Sequence, residues 1–217
     1  MSGLYVFDAY GTLFDVHSAV ARHADDVGPE AARLSELWRT KQLEYTWVRS
    51  LAGRYADFQE LTEESLDYAA QRCGGIKALT RAKLLAAYAE LSPFPEVRGV
   101  LQGLRYRGAK TAILSNGTPE MLTKAVASSR MEGLFDAILS VDALKIYKTA
   151  PAAYELVGRH FGTQPSEVTF LSSNRWDIAG ATAFGFGCIW VNRSGLPEEY
   201  GDLAPQRVVK SLDALLA

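Results

Sequence analysis

Five short β-rich runs constrain this chain most: Leu4 to Phe7, Thr111 to Leu114, Ala137 to Leu139, Val168 to Leu171 and Cys188 to Val191. Between most of them lie stretches with helical spacing, Pro119 to Ser128, Ala150 to Phe161 and Asp177 to Phe184. Strands alternating with helices are βα units that feed a parallel sheet. The expected fold is therefore α/β, a doubly wound parallel sheet. The interval from Asp15 to Leu91 breaks the pattern, because it holds no strand signal and reads as helices over Ala31 to Leu51, Glu63 to Cys73 and Arg81 to Leu91, with a shorter one near His17 to Asp26. Thr62-Glu63-Glu64-Ser65 is expected to open the second of these with a capping residue and first-turn acids, and Gly74-Gly75 to close it. Pro93 and Pro95 mark the return to the sheet. The organisation expected is a core of residues 1–14 and 93–217 with an all-helical insert over 15–92, lying across the strand ends as a cap.

A length of 217 residues allows one substantial core with a small appended module. With 48% hydrophobic and 22% charged residues, neither disorder nor a fibre is indicated. A net charge of −2 gives no broad attraction to nucleic acid or to an anionic membrane, so only local positive charge can recruit an anionic ligand. No apolar run reaches the roughly 18 residues of a membrane span. The first strand begins at once, leaving no room for a signal peptide, and the expected compartment is the cytoplasm. Cys73 and Cys188 lack CxxC or metal-ligand spacing and read as reduced, buried residues.

Chemistry-bearing residues follow four of the apolar runs. Asp8 ends the first and begins Asp8-Ala9-Tyr10-Gly11-Thr12; Ser115-Asn116-Gly117 follows the second; Lys148 lies beyond the third; Ser172-Ser173-Asn174-Arg175-Trp176-Asp177 follows the fourth. In a doubly wound sheet these loops share one edge, so Asp8, Ser115, Asn116, Lys148, Asn174 and Asp177 can form one site. An ionised carboxylate attacks carbon or phosphorus to give a covalent ester if a cation keeps it charged, which is the task open to Lys148. Asp177 would orient the lysine and help activate water. Two residues beyond Asp8 the chain has Tyr10 rather than a second acid, and a carboxylate beside a phenol is a poor Mg²⁺ site. An anionic ligand needs one more positive group, and the helical insert offers Arg39. Gly11 and Gly117 read as turn glycines. His17, His23 and His160 have no ligand or base-partner spacing, and Trp176 and Phe58 are by default core residues.

The strings FDAYGTLFD, WRTKQLEYTW, GRYADF, ILSNG, KIYK and SSNRWD resemble those of the haloacid dehalogenase superfamily, and more narrowly of the L-2-haloacid dehalogenases, over nearly the whole chain. The superfamily's phosphatases share Asp8, Thr12, Ser115 and Lys148 in pattern, but usually carry an acid where this chain has Tyr10 and often one at Ser173. The resemblance implies a Rossmann-like core with a helical cap and a metal-free, cofactor-free hydrolysis in two steps. Asp8 would displace halide from C2 of an L-2-haloalkanoate with inversion, and water would then release a D-2-hydroxy acid from the ester. By similarity, Thr12, Ser172, Asn174 and Asp177 surround the nucleophile and the water, with Lys148 as charge partner. Ser115 and loop N–H groups would bind the substrate carboxylate, with Tyr154 nearby. Arg39, Asn116 and Trp176 would cradle the halide, and Tyr10, Leu43 and Phe58 would line the apolar wall. For the adjacent pair Ser172 and Ser173, the resemblance favours Ser172 as the one facing the site.

After Lys148 the chain reads Thr149-Ala150-Pro151, where relatives usually have Pro-Asp/His-Pro, so the helix that carries Tyr154 starts with different chemistry. Relatives are often homodimers, and the stretch Ala31 to Leu51 is the contact surface that would serve. Three alternatives stay open on the same scaffold: a Mg²⁺-dependent phosphatase, a catalytically silent small-acid-binding or interaction protein, and hydrolysis of fluoroacetate or of a strained cyclic amino acid by the same nucleophile.

Overall fold

Strand β1 (Leu4–Phe7) pairs in parallel on both edges, and the central strand of a parallel sheet has both faces covered, which is why its run is apolar without alternation. The computed structural model describes residues 3–217. It pairs β1 in parallel with β2 (Lys110–Ser115) on one side and with β4 (Val168–Ser172) on the other. Outside β2 lies β3 (Ala137–Ser140); outside β4 lie β5 (Gly187–Val191) and then β6 (Arg207–Val209), giving a six-stranded sheet in the order β3-β2-β1-β4-β5-β6, parallel throughout. Because the chain winds outward in both directions from β1, the topological switch point lies at the carboxyl end of that strand, where open α/β sheets bind ligands. Phe7 is level with Ile113 and Leu171, so Asp8 emerges at this crevice with its N–H still donating to the Leu171 carbonyl.

Between β1 and β2 the described chain is helical: α1 (Ser18–Ala21), α2 (Ala24–Val27), α3 (Ala31–Leu51), α4 (Phe58–Arg72), α5 (Ala78–Tyr88) and α6 (Val97–Tyr106). Helices α7 (Pro119–Ser128), α8 (Pro151–Phe161) and α9 (Arg175–Phe184) connect the later strands. The chain leaves and re-enters the sheet layer along paired segments, with Asp15 N–H donating to Ser92 O at 2.8 Å and Phe94 N–H to Leu13 O at 3.0 Å. Arg193, just past β5, ties this crossing down. It donates to Thr12 O at 3.1 Å, ion-pairs with Glu96 and stacks over the Phe94 ring.

Several element boundaries differ from the sequence reading. Helix α4 starts at Phe58 rather than Glu63, because Asp57 is the cap and accepts the Glu60 N–H at 2.8 Å. Thr62 is buried inside that helix, its hydroxyl donating to Phe58 O. The buried residues Phe58, Leu61, Thr62, Ser65, Leu66 and Ala69 form one helical stripe, which outweighs the cap-like letters at 62–65. Helix α5 ends at Tyr88 rather than Leu91, and the segment near His17 to Asp26 is two short helices instead of one. The sequence reading does not include α6, whose buried Val97, Val100, Leu101 and Leu104 follow helical spacing, or the three-residue edge strand β6.

Candidate active site

Asp8 is held by three donors from three separate parts of the chain. Its Oδ1 accepts from Lys148 Nζ at 3.1 Å; its Oδ2 accepts from Thr12 Oγ1 at 2.9 Å and Asn174 Nδ2 at 2.8 Å. Thr12 is fixed in turn by the Ser173 N–H, which donates to its hydroxyl at 2.8 Å. Lys148, wholly buried, also reaches Asp177 Oδ2 at 2.8 Å, so a single ammonium lies between two carboxylates. Asp177 sits in the first turn of α9, and its Oδ1 accepts the Tyr154 hydroxyl at 2.9 Å. From α3, Arg39 crosses to the same loop and donates to Tyr10 O at 3.0 Å and Asn174 Oδ1 at 3.3 Å.

Burial and these charges set the protonation states. Burial works against the Lys148 ammonium, but Asp177 and Asp8 more than offset it and hold the lysine above its ordinary value. Burial pushes the Asp177 carboxyl up to about 6, with Lys148 pulling against it and Asp8 adding to the rise. At neutral pH Lys148 is therefore an ammonium and Asp177 a carboxylate. Burial, reinforced by Asp177, lifts the Tyr154 phenol well above the usual tyrosine range, and burial does the same for Tyr10, so both hydroxyls stay neutral.

The remaining residues named from sequence lie in several places around this centre. Ser115, at the end of β2, is fully buried and accepts the Gly117 N–H at 3.1 Å. Asn116 Oδ1 accepts the Lys148 backbone N–H at 3.1 Å, which commits that oxygen and leaves the amide NH₂ as the donor end. Tyr10 stacks on Tyr88 and packs against Phe58, with ring centroids 5.7 and 5.4 Å apart, and Leu43 is buried one turn beyond Arg39. Trp176 is half-buried, edge-on to Trp47 at 5.5 Å, in a cleft of about 750 Å³ that also touches Leu51, Tyr147, Lys148 and Tyr200. Ser172 does not bond to Asp8; its hydroxyl accepts the Asn174 N–H at 3.1 Å and so shapes the loop that carries Asn174.

Two readings need correction. Tyr154 does not stand free beside a ligand carboxylate, because its hydroxyl is spent on Asp177 and its ring is enclosed by Phe170, Phe184 and Phe186. Gly11 does occupy a left-handed turn at φ +92°, but Gly117 is required for space instead: a Cβ there would meet the Tyr10 ring at 2.7 Å.

Among the described residues, no group of three or more His, Cys, Asp or Glu is arranged to hold a metal ion, and no helix is long and apolar enough to cross a membrane.

The family profile of the haloacid dehalogenase-like hydrolases matches residues 3–185. The chain belongs to that family. Within it, this hydrolase is 50% identical over 203 residues to (S)-2-haloacid dehalogenase 1 of Pseudomonas sp. (strain CBS-3), an alignment covering 93% of this chain and 89% of the relative. A solved L-2-haloacid dehalogenase superposes with a TM-score of 0.95 at 47% identity, covering 99% of this chain and 97% of the other. The L-2-haloacid dehalogenase from Xanthobacter autotrophicus, with chloropropionic acid covalently bound, superposes at 0.88 with 37% identity over 100% of this chain and 97% of that one. The hydrolase is thus an enzyme of the (S)-2-haloacid dehalogenase branch.

Sequence reasoning missed the residues that hold Arg39 in place. Gln42 Oε1 accepts from Arg39 Nη1 at 2.9 Å and from the Tyr88 hydroxyl at 3.0 Å, while its Nε2 donates to Thr62 Oγ1 at 2.7 Å. A signal was available: Trp38, Gln42 and Thr46 recur at four-residue spacing on the buried face of α3, and a glutamine in such a stripe must find partners.

Proposed function

We propose that the hydrolase converts L-2-haloalkanoates to D-2-hydroxy acids through an ester on Asp8, without a metal ion. The observation that carries this reading is the wholly buried Lys148 ammonium between Asp8 and Asp177, at 3.1 and 2.8 Å. It sets a positive charge against the Asp8 carboxylate, and a carboxylate nucleophile needs such a charge partner in place of a metal ion. Oδ2 is taken by Thr12 and Asn174, whereas Oδ1 accepts only from Lys148 among the described residues and keeps a lone pair for attack.

In the first step a bond forms between Asp8 Oδ1 and C2 of the substrate as the C2–halogen bond breaks and the halide departs with the electron pair. Attack from the side opposite the halogen inverts C2. The neutral amide of Asn116 and the guanidinium of Arg39, both donors, suit a departing anion, and Trp176 offers a polarisable edge. Ser115, whose oxygen already accepts the Gly117 N–H, has its hydrogen available for the substrate carboxylate. In the second step water attacks Cγ of Asp8 and gives one proton to Asp177; as the Cγ–Oδ1 bond breaks, the leaving alkoxide takes the water's second proton and departs as the hydroxy acid with Oδ1 as its hydroxyl oxygen, and Asp177 returns its proton to solvent. The carboxylate that remains contains the water oxygen. Burial that raises Asp177 to about 6 makes it a better proton acceptor than an ordinary carboxylate while leaving it ionised at neutral pH. In this account, helices α1 to α5 form a cap whose Arg39, Leu43 and Phe58 close a small apolar pocket, which favours short substrates.

The test is halide release from L-2-chloropropionate in the presence of EDTA. Release that persists with EDTA, yields D-lactate, spares the D-enantiomer and vanishes in Asp8→Asn is expected. Phosphate-ester hydrolysis that EDTA abolishes, with no halide released, would overturn the assignment.

A further inference from the structure

Arg39 stands out among the cations of the site because its partners are all neutral. It donates to Gln42 Oε1, Tyr10 O and Asn174 Oδ1, and no carboxylate lies within ion-pairing distance of it among the described residues. Its charge is therefore available to a ligand. A long, flexible side chain with that freedom loses rotamer entropy when a reaction requires it at one point, and something has to hold it there beforehand.

Gln42 is built for that task. It is fully buried, one turn along α3 from Arg39, and its amide orientation is fixed by the direction of every hydrogen bond around it. The Thr62 hydroxyl gives its only hydrogen to Phe58 O at 2.6 Å, so toward Gln42 it is an acceptor and must receive Nε2. Oε1 is then turned toward Arg39 and Tyr88, which both donate to it. Thr62 is itself pinned, since Trp38 Nε1 donates to its carbonyl at 2.8 Å. The result is a one-way chain from Arg39 through Gln42 and Thr62 to the backbone of α4. Tyr88 joins it from α5 while stacking on Tyr10, the residue whose carbonyl accepts the other end of the guanidinium.

We infer that Gln42 is a positioning residue for leaving-group departure: it holds Arg39 extended toward the Asp8 loop, with its charge unneutralised, so that the guanidinium meets the halide as the carbon–halogen bond breaks. This inference rests on the proposed function, in which Arg39 cradles the halide. A neutral acceptor is needed at residue 42, because a carboxylate there would ion-pair with Arg39 and draw its charge from the halide, whereas an apolar side chain would release it.

The discriminating readout is sensitivity to the halogen. Chloride is the poorer leaving group and depends more on stabilisation at departure than bromide does. Single-turnover halide release is measured for L-2-chloropropionate and L-2-bromopropionate in the parent and in Gln42→Met, Gln42→Glu, Thr62→Val and Arg39→Lys. The Gln42 variants are expected to lower the chloro-to-bromo rate ratio by about tenfold, the scale on which misplacing a reacting group by less than an ångström acts. Thr62→Val, which leaves residue 42 intact and removes its acceptor together with the hydroxyl's bond to Phe58 O, should move the ratio in the same direction by a smaller factor and serves if the Gln42 variants fold poorly. Ser128→Ala is the control, because its hydroxyl bonds only to Ala125 O of its own helix α7, away from α3 and α4, and it should lower the melting temperature without moving the ratio. A changed ratio in Arg39→Lys with unchanged ratios in the Gln42 and Thr62 variants would overturn the inference and leave the proposed function standing. An unchanged ratio in Arg39→Lys would remove Arg39 from the halide site and overturn the inference with it.

Discussion

Replacing Lys148 by methionine is the perturbation that most exposes the electrostatics of the site. The side chains of Lys148 and Asp177 are fully buried and that of Asp8 is 7% exposed, so the exchange keeps volume and leaves two carboxylates facing each other with no cation between them. Breaking a buried ion pair by removing one partner costs about 3–5 kcal/mol. For a chain of this size each kcal/mol moves the melting temperature by about 2–4 °C, so the variant should melt about 6–20 °C lower near pH 8. The sign of the pH dependence is also fixed. Asp177 already takes up a proton more readily when folded, with its value raised from 3.8 to about 6, so its contribution to stability grows as pH falls through that window and is lost as pH rises through it. Without Lys148 that value rises further, and the deficit of the variant should shrink as pH drops from 8 toward 5. Halide release should fall by at least about 10³-fold at every pH, because protonating the carboxylates removes the nucleophile's charge. Melting curves from pH 5 to pH 8.5 for parent and variant, with halide release alongside, decide the matter. A variant that melts within about two degrees of the parent at pH 8, or whose deficit is the same at pH 5, would show that Lys148 does not hold the two carboxylates together.

Other outcomes follow from the same geometry. The acid limb of the pH–rate profile should report Asp177 near pH 6, and Tyr154→Phe should move that limb to higher pH, because the Tyr154 hydrogen bond lowers the carboxyl's value; a limb that stays put would detach Tyr154 from Asp177. Asp57→Ala should destabilise the fold by about 1 kcal/mol through loss of the α4 cap, with the turnover rate within a factor of two of the parent; urea unfolding beside halide-release kinetics checks both.

Much of the architecture could be read from the residues because a parallel sheet covered on both faces demands uninterrupted apolar strands. Val6, Phe7, Ile113, Leu114, Phe170 and Leu171 are fully buried, as their runs required, and each run ends at the edge where the polar residues gather. Asp8, Lys148, Asn174 and Asp177 could be gathered into one site on topology alone, since loops after parallel strands share an edge. What stayed hidden was direction. The letter Tyr154 says that a phenol is near, but only the fold shows its hydrogen pointing at Asp177. The cap at α4 was misread because Thr62 and Asp57 are both capping residue types, and burial alone separates them. The spacing of Trp38, Gln42 and Thr46 places Gln42 on the inward face, but only its neighbours Thr62 and Tyr88, brought from other helices, show which way its amide points.

A bond between the Asp8 carboxylate and C2 of the substrate is read out by a single turnover in H₂¹⁸O. With enzyme in excess over L-2-chloropropionate, mass spectrometry of the Asp8 peptide should find one ¹⁸O in Asp8 and an unlabelled hydroxyl in the lactate. Label in the lactate hydroxyl with none in Asp8 would mean that water attacks the carbon directly and that no ester forms on Asp8.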